Sequence, residues 1–461
     1  MAYYRPRMAA RLSVPVWGSS QERIEQEDGS GLVEFNVRVR RSEISRNDHN
    51  HADSSEVTVD WLDAGVDPRL LSNAIVEVYI GNADESGQWD MPREDRRFIG
   101  IATDVERESD ESNRSVRIQA LDFTALFIES KPYPEEGVPN YGMTLEDAWK
   151  LICQHAGGKD TSGQWFKSAE FLADKLTPRG VDSWPPSFSK VAPPRLKTAL
   201  AKTPIPIKKG ADAWAIWQQC CGMFGLISWI YQDSVIVTTA TNYYTRSNPP
   251  RFVWGKNILS LRERRNCSLS GKKVALVSYD PLTGELVQVW YPPRGEEGKK
   301  KGKASKRGGK ADDYDVFEYN GITDEAALQS ICQRVYEERS RQELEGTIVT
   351  SEMFIDGLDG RSADLLKLGS GQDVRIEVEQ ETMDGLKGID SIADRVAYLE
   401  ARGYRRTMAQ LLAKNQEALS LLSAVFHTRG VRTTLETDEK GGSFEIEIQY
   451  CNRIQVTGDA R

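Results

Sequence analysis

Hydrophobic and polar residues alternate with a period of two along much of the first 130 residues, as where Val37 and Val39 flank Arg38. The same alternation recurs at 57–61, 74–81, 97–107 and 116–120. A period of two predicts strands with one buried and one polar face, which is typical of antiparallel barrels and sandwiches. We therefore predict a first β-barrel module at residues 31–130. Residues 1–30 are too polar and interrupted to form a core, and we predict an extended N-terminal arm there.

A helical period replaces this alternation in the middle of the chain. The apolar residues at i, i+3, i+7 and i+10 are Trp214, Trp217, Cys221 and Phe224. This spacing predicts a helix with a single apolar stripe. Two apolar segments follow within residues 226–240 and predict a hairpin. With a short predicted helix around Trp149, these elements predict a small α/β connector at residues 131–255.

The β pattern returns after residue 255, with two long interruptions. The first is a basic, glycine-rich insertion at 294–313, and the second is a pair of predicted helices at 384–428. Between them a further helix begins near Thr323, its predicted N-cap. We therefore predict an α+β, mainly β, fold. Two antiparallel β-barrel modules are joined by the small α/β connector, and the second module, residues 256–461, carries the helical insertions.

The net charge of −9 conceals one strongly basic segment. Seven positive residues fall within twelve positions that contain no acidic residue: Lys299, Lys300, Lys301, Lys303, Lys306, Arg307 and Lys310. Interspersed glycines and the lack of apolar anchors favour a flexible, solvated insertion. The alternative is an electrostatic role, independent of sequence, near DNA or an acidic neighbour. The segment has no interleaved aromatic residues for base stacking.

Bulk features limit the possible classes of protein. A chain of 461 residues predicts two to four domains. No apolar run approaches the roughly 20 residues that cross a bilayer, and the N-terminus lacks the apolar region of a signal peptide. We therefore expect assembly in the cytosol. The six cysteines form no C-x-x-C pair, so we expect neither disulfides nor a zinc site, and Cys220 and Cys221 fit buried thiols.

One cluster has the chemistry of metal ligands, namely His49, His51 and Asp53. Alternate residues of an extended segment lie on one side, so these groups could converge on zinc or manganese. A polar loop before a strand explains them as well, and we assign no metal site and no cofactor. No nucleotide-binding or hydrolase motif occurs, so we expect no enzyme. The alternatives are a cell-wall hydrolase, whose paired carboxylates cannot be identified from sequence, and a nucleic-acid-binding protein acting through the basic segment.

Three parts of the chain resemble the hub proteins of contractile phage tails and related injection machines. This family includes the hub of T4-like baseplates and the late-control D proteins of P2-like phages. The first part has Asn-Asp and Ala-Asp pairs at 47–48 and 52–53 before a strand, and a D-F-T-A-L element at 122–126 after a strand-turn-strand. The other parts are residues 210–240, and 257–281 with 321–350.

The resemblance implies a homotrimer with two barrels per chain, whose six barrels join the sixfold tail tube to the threefold central spike. The implied location is the virion tail baseplate, assembled in the host cytoplasm. The implied partners are the tail tube or tube-initiator protein, the spike and the baseplate wedge proteins. In the channel, they are the tape-measure protein or DNA.

The two-helix insertion offers a candidate partner contact. Its second predicted helix carries apolar residues around more of its circumference than a surface helix usually exposes. We expect docking against a neighbouring baseplate component through Leu411, Leu412, Leu421 and Leu422. Packing of the insertion on its own barrel and between its own helices is an equally good explanation.

Overall fold

The structure is a computed structural model that describes most of the chain outside the middle linker and the basic insertion. The described residues are 6–15, 32–48, 51–60, 71, 74–83, 88–109, 114–131, 139–140, 142–156, 210–224, 226–231, 234–239, 248–266, 268, 273–279, 283–293, 314–319, 322, 324–357, 359–377, 385–386, 388–414, 423–438 and 441–452.

Within these ranges the chain forms nineteen strands and six α-helices. Strands β1 to β19 are Pro6–Pro15, Leu32–Arg46, Ser54–Asp60, Ile75–Asn82, Arg96–Ser109, Arg114–Leu121, Leu226–Tyr231, Ser234–Thr239, Arg251–Val253, Ser260–Arg265, Lys273–Tyr279, Leu286–Tyr291, Tyr314–Glu318, Leu344–Thr350, Phe354–Asp356, Ser362–Asp364, Asp373–Glu377, Ser423–Asp438 and Gly441–Cys451. Helices α1 to α6 are Thr124–Glu129, Leu145–Ala156, Ala213–Met223, Glu325–Arg341, Ile392–Ala401 and Arg406–Lys414. Two 3₁₀ turns are Arg93–Asp95 and Leu365–Lys367.

The first six strands close into an antiparallel barrel in the order β1-β4-β5-β6-β3-β2, with β2 returning to β1. The alternation along β3 explains why this sheet encloses a core. Val57 and Val59 are buried inside the barrel, while the residues between and beside them face outwards. The apolar faces of all six strands supply one core cluster. The predicted first barrel is confirmed, with an antiparallel, closed sheet.

The N-terminal arm is a correction. Residues 6–15 form β1, which pairs with both β2 and β4 and closes the barrel. Met8, Ala10, Leu12 and Val14 alternate into its interior. Polar residues between these apolar positions led us to predict an extended arm. They are instead the outward-facing half of a strand with a period of two.

A second six-stranded unit follows the order β9-β17-β18-β19-β14-β10. Its end strands β9 and β10 are neighbours in the chain, and a bridge between Trp254 and Ile258 lies in the turn that joins them. Its own core cluster includes Phe252, Ile348 and Ile446. We predicted antiparallel pairing throughout, but the three-residue strand β9 pairs parallel to β17.

Two unusually long strands join these units into one sheet. β2 pairs with β1 through residues 32–38 and with β18 through residues 41–46. β18 pairs with β17 through residues 423–427 and then with β2 through residues 431–436. Each long strand therefore uses one half of an edge within its own unit and the other half to hold the second unit.

The connector is larger than predicted. Helices α1 to α4, the β7–β8 hairpin and the separate β11–β13 sheet share one core cluster centred on Trp149 and Trp217. We had placed β11 to β13 and α4 in the second module. They belong with the connector because Leu276 and Val289 of the sheet pack with Leu328 of α4 in that cluster.

Local signals in the connector were predicted in part. Cys220 and Cys221 are buried in α3, as expected. The predicted N-cap Thr323 lies outside the described residues. The Asp324 carboxylate instead accepts a hydrogen bond of 3.0 Å from the Ala326 backbone N–H, in the manner of a helix cap.

The predicted two-helix insertion is present but shorter than expected. α5 and α6 pack together around Leu386, Leu399, Ala409 and Leu412. We extended the second helix through Val425, which lies instead in β18. The β-branched Val425 suits either structure by pattern alone, and pairing with β17 decides it. None of the helices within the described ranges combines the length and hydrophobicity that a membrane crossing requires.

Strand β1 provides a direct stability test. Leu12 has no exposed surface, so Leu12→Ala should lower the free energy of unfolding by about 2–5 kcal/mol through lost burial and a residual cavity. Chemical denaturation of the full chain measures this change. The control is Arg7→Ala on the exposed side of the same strand, which should change stability by less than about 0.5 kcal/mol. Equal, small effects of both substitutions would contradict the assignment of β1 to the barrel.

Candidate functional site at the junction of the barrels and the connector

Two separated segments of the first resembling part, residues 47–53 and 122–126, meet in one hydrogen-bond network. The Asn47 backbone N–H donates to the Asp53 carboxylate at 2.7 Å, and the Asn47 side-chain amide donates to the Ala52 carbonyl at 2.6 Å. The Asp53 backbone N–H donates to the Asp122 carboxylate at 3.0 Å. The other oxygen of that carboxylate accepts a bond of 2.8 Å from the backbone N–H of Thr124.

Strand register brings these residues together. Asp53 comes directly before β3 and Asp122 directly after β6, and the adjoining residues Ser54 and Leu121 are paired across the two strands. A backbone bond of 2.9 Å from Asp122 N–H to the Asp53 carbonyl extends the ladder by one step. The pair of carboxylates, Asp53 and Asp122, was not predicted from the sequence. Antiparallel pairing of the two predicted strands that they flank would have placed them side by side.

Burial of Asp122 and partial burial of the neighbouring Asp53 disfavour the ionisation of both carboxyls. Loss of solvation raises the pKa of Asp122 from 3.8 to about 6, despite the hydrogen bonds from Asp53 and Thr124. Loss of solvation, followed by the nearby charge of Asp122, also raises the pKa of Asp53 well above its ordinary value. The Asn47 N–H and the Arg46 guanidinium oppose that rise.

Arg46 connects this network to the second unit. Its guanidinium is buried and donates to the carbonyl of Leu368 at 2.6 Å and to the carbonyl of Arg97 at 3.1 Å. Arg97 is itself buried, and its guanidinium lies 3.7 Å from the Asp364 carboxylate. Two buried arginines thus link the first barrel to the segment 364–368 of the second unit, beside the β2–β18 ladder.

The same network anchors the connector. Thr124 begins α1, and Phe127 of that helix packs against Trp149 with ring centroids 5.1 Å apart. The carbonyl of Ser130, which ends α1, accepts a hydrogen bond of 2.8 Å from the Ala213 N–H at the start of α3. The site is therefore a three-way junction, defined by Arg46, Asn47, Asp53, Asp122 and Thr124. It is built to hold three parts of the chain at fixed positions.

Two of the three metal candidates, His51 and Asp53, lie in different surroundings. His49 lies outside the described residues, and His51 is exposed on a bend. Asp53 instead points its carboxylate at the Asn47 backbone. Among the residues that the structure describes, no three His, Cys, Asp or Glu side chains come together as metal ligands do.

A buried histidine and a buried aspartate form a pair elsewhere in the chain. The Nδ1 atom of His427 lies 2.6 Å from the Asp373 carboxylate, inside the second unit. The thiol of Cys451 lies 3.6 Å from the carbonyl oxygen of His427.

The remaining candidates have different placements. Leu412 is 7% exposed and packs into the α5–α6 cluster. Leu411 lies in α6, while Leu421 and Leu422 lie outside the described residues. The seven basic residues from Lys299 to Lys310 also lie outside them, between β12 and β13. Both flanking strands belong to the connector sheet, so our placement of the basic insertion on the second barrel is corrected.

The raised pKa values predict how stability depends on pH. The folded chain holds protons on Asp122 and Asp53 at pH values where the unfolded chain, with ordinary pKa values near 3.8, has released them. Stability should therefore fall as pH rises from about 4 through 6 and above. Asp53→Asn keeps a hydrogen-bond acceptor and removes one titrating group. We expect its stability relative to the wild type to increase by on the order of 1 kcal/mol between pH 5 and pH 8.

Urea unfolding at both pH values measures this difference. Asp356→Asn, at a side chain that is 62% exposed, serves as the matched control and should track the wild type. A variant at Asp53 that follows the wild-type pH profile would show that the buried pair does not hold the protons.

Known protein structures, but not known sequences, are similar to this chain. No protein-family model matches the chain, and no curated protein sequence matches it. The tail protein from Neisseria meningitidis MC58 is similar in structure, with a TM-score of 0.52, 15% identity, and coverage of 97% of each chain. The 43 kDa tail protein of prophage MuSo2 from Shewanella oneidensis also has a TM-score of 0.52, at 11% identity. That match covers 97% of this chain and 98% of the other. The chain therefore has the fold of these two tail proteins, which agrees with the predicted resemblance at the level of the fold.

Proposed function

We propose that the chain is a structural hub of a phage tail or related injection machine, which joins a sixfold tube to a threefold spike as a homotrimer. The observation that carries this proposal is the pair of six-stranded β units held side by side in one chain through β2 and β18. The similarity to two tail proteins over nearly the whole of each chain supports it.

Symmetry explains why two units per chain suit this role. Three chains arranged about a threefold axis present six β units, which approximate sixfold symmetry on one face. The other face retains threefold symmetry. A tube protein would bind the first face and a trimeric spike the second. The rigid junction at Arg46 and Asp122 supports the role, because an adaptor must keep its two units at a constant spacing.

We infer a mechanical role without turnover. The buried charged groups of the junction are committed to backbone hydrogen bonds. Release of fragments from peptidoglycan by the purified chain, abolished by a single carboxylate substitution, would overturn this inference.

Mass measurement tests the oligomer. Native mass spectrometry of the purified chain should give a species of three 51.8 kDa protomers. Addition of the tube protein should yield a complex that contains three copies of this chain. A chain that stays monomeric alone and with both the tube and spike proteins would contradict the proposed adaptor.

We assign the α5–α6 insertion to docking against a neighbouring baseplate component, such as a wedge protein. The two helices have a small core of their own, so the insertion forms a separate unit beside the sheet. In this proposal the basic insertion faces the channel or an acidic neighbour, and its role is electrostatic.

Deletion of residues 388–414, replaced by a short glycine-serine linker, tests the docking role. The trimer should form as before, because the deleted helices have their own core, while assembly of complete baseplates should fall at least tenfold. Complete baseplates are counted by electron microscopy of particles produced when the variant complements a strain that lacks this chain. The control instead replaces residues 438–441, between the paired ends of β18 and β19, with the same linker. Normal baseplate numbers after the helical deletion would reject docking.

A further inference from the structure

Strand β10 has one open edge and a basic outer face. Among the described strands it pairs only with β14. Three arginines and one glutamate occupy its six residues. The Tyr450 hydroxyl donates to Glu263 at 3.0 Å and Arg265 donates to Glu343 at 3.0 Å, so both of these residues of β10, although exposed, pair within the chain. Arg262 and Arg264 alternate with them and are exposed.

The end of β10 also borders a polar cavity. The cavity has a volume of about 140 Å³ and is lined by Arg264, Asn266, Gln342, Glu345 and Arg429. Two guanidinium groups and two amides offer hydrogen-bond donors there, and the Glu345 carboxylate already pairs with Arg429. Arg264 is the cation of this cavity that lies on β10, and its charge adds to the basic outer face of the strand.

The distal half of β5 has the opposite character. Pairing of β5 with β4 ends at Ile101, and beyond this point the described strands include only β6 as a partner, through Ser109. Val105 packs towards the barrel core. Asp104, Glu106 and Glu108 alternate with it and are exposed. The six residues 104–109 thus carry three acidic side chains and one basic side chain.

We propose that the β10 edge of one copy docks along the 104–109 edge of β5 in a second copy of this chain. The inference deepens the proposed trimer and rests on it. Arg262 and Arg264 of one protomer would face Asp104, Glu106 and Glu108 of the next. Both sets of charges repeat at every second residue, about 6.8 Å along a strand, so opposite charges coincide when the edges lie side by side.

Charge complementarity identifies the occupant as a second copy. The basic edge lies on the second β unit and the acidic edge on the first barrel, so the contact is head-to-tail. Head-to-tail contacts between identical chains form a closed ring when the rotation closes. Charged residues also protect open strand edges from aggregation. That role alone requires no opposite signs on the two edges, whereas docking does.

Charge reversal on the full chain tests the contact. The variant Arg262→Glu/Arg264→Glu should associate at least tenfold more weakly than the wild type in light scattering coupled to gel filtration. Asp104→Arg/Glu106→Arg/Glu108→Arg should have the same effect, because the two arginines of β10 face two neighbouring positions of this set and Glu106 is always one of them. Arg117, which pairs with Glu106, keeps its ion pair with Glu56 in this variant. The five substitutions combined restore opposite charges across the contact and should restore the trimer. Salt should weaken wild-type association in the same assay.

A matched control separates the contact from general effects of charge. Arg361→Glu/Arg406→Glu changes net charge equally at side chains that are 86% and 80% exposed, and should leave the trimer unchanged. Circular dichroism verifies that each variant is folded. A wild-type trimer that tolerates both reversals, or a combined variant that stays dissociated, would overturn the edge contact while leaving the hub proposal standing. A wild type that never assembles, alone or with tube and spike proteins, would overturn both.

Discussion

The sharing of strand edges between the two β units is the constraint on which the rest of the structure depends. β2 and β18 are longer than one unit needs, and each divides one edge between two partners. A register shift marks the division in both strands, between Val39 and Arg41 in β2 and between Thr428 and Gly430 in β18. Bulges of this kind increase local twist and redirect a strand. Backbone hydrogen bonds, and not a flexible linker, therefore fix the separation of the two units.

Buried charge reinforces this constraint at a cost in solvation. Arg46 satisfies two carbonyl groups, one in each unit, so neither group is left without a partner. Asp53 and Asp122 fasten the start of the connector to the same place. Apolar side chains could bury similar area there, but they would not specify which backbone atoms meet. These junction residues carry part of the resemblance seen in the sequence, and their geometry determines how three parts of one chain join.

Sequence patterns predicted the elements better than their association. The period of two identified β2 to β6, and the helical stripe identified α3, because each is a local consequence of burial. Assignment of β11 to β13 to the connector depended on contacts between distant segments, such as Leu276 with Leu328, which no local pattern contains. β1 was not predicted, because its ten alternating residues lie within a longer N-terminal segment that is mostly polar.

The junction was predictable only in part. Asn47, Asp53 and Asp122 all lie in the segments that carry the resemblance. His51, close to Asp53, suggested a metal site, because the ligand chemistry of single residues can be read from sequence and the register between two strands cannot. Pairing of Ser54 with Leu121 joins the two aspartates, and that pairing is a tertiary fact. Arg46 looked like one of many surface arginines, because its burial arises only when the second unit packs beside the first.

Electron cryomicroscopy of the purified chain would show how the β units of several copies are arranged. We expect threefold particles in which six β units form a ring, alternating between first barrels and second units, with each β2–β18 ladder inside one protomer. Particles with any other symmetry, or a ring in which only one β unit per chain takes part, would contradict it.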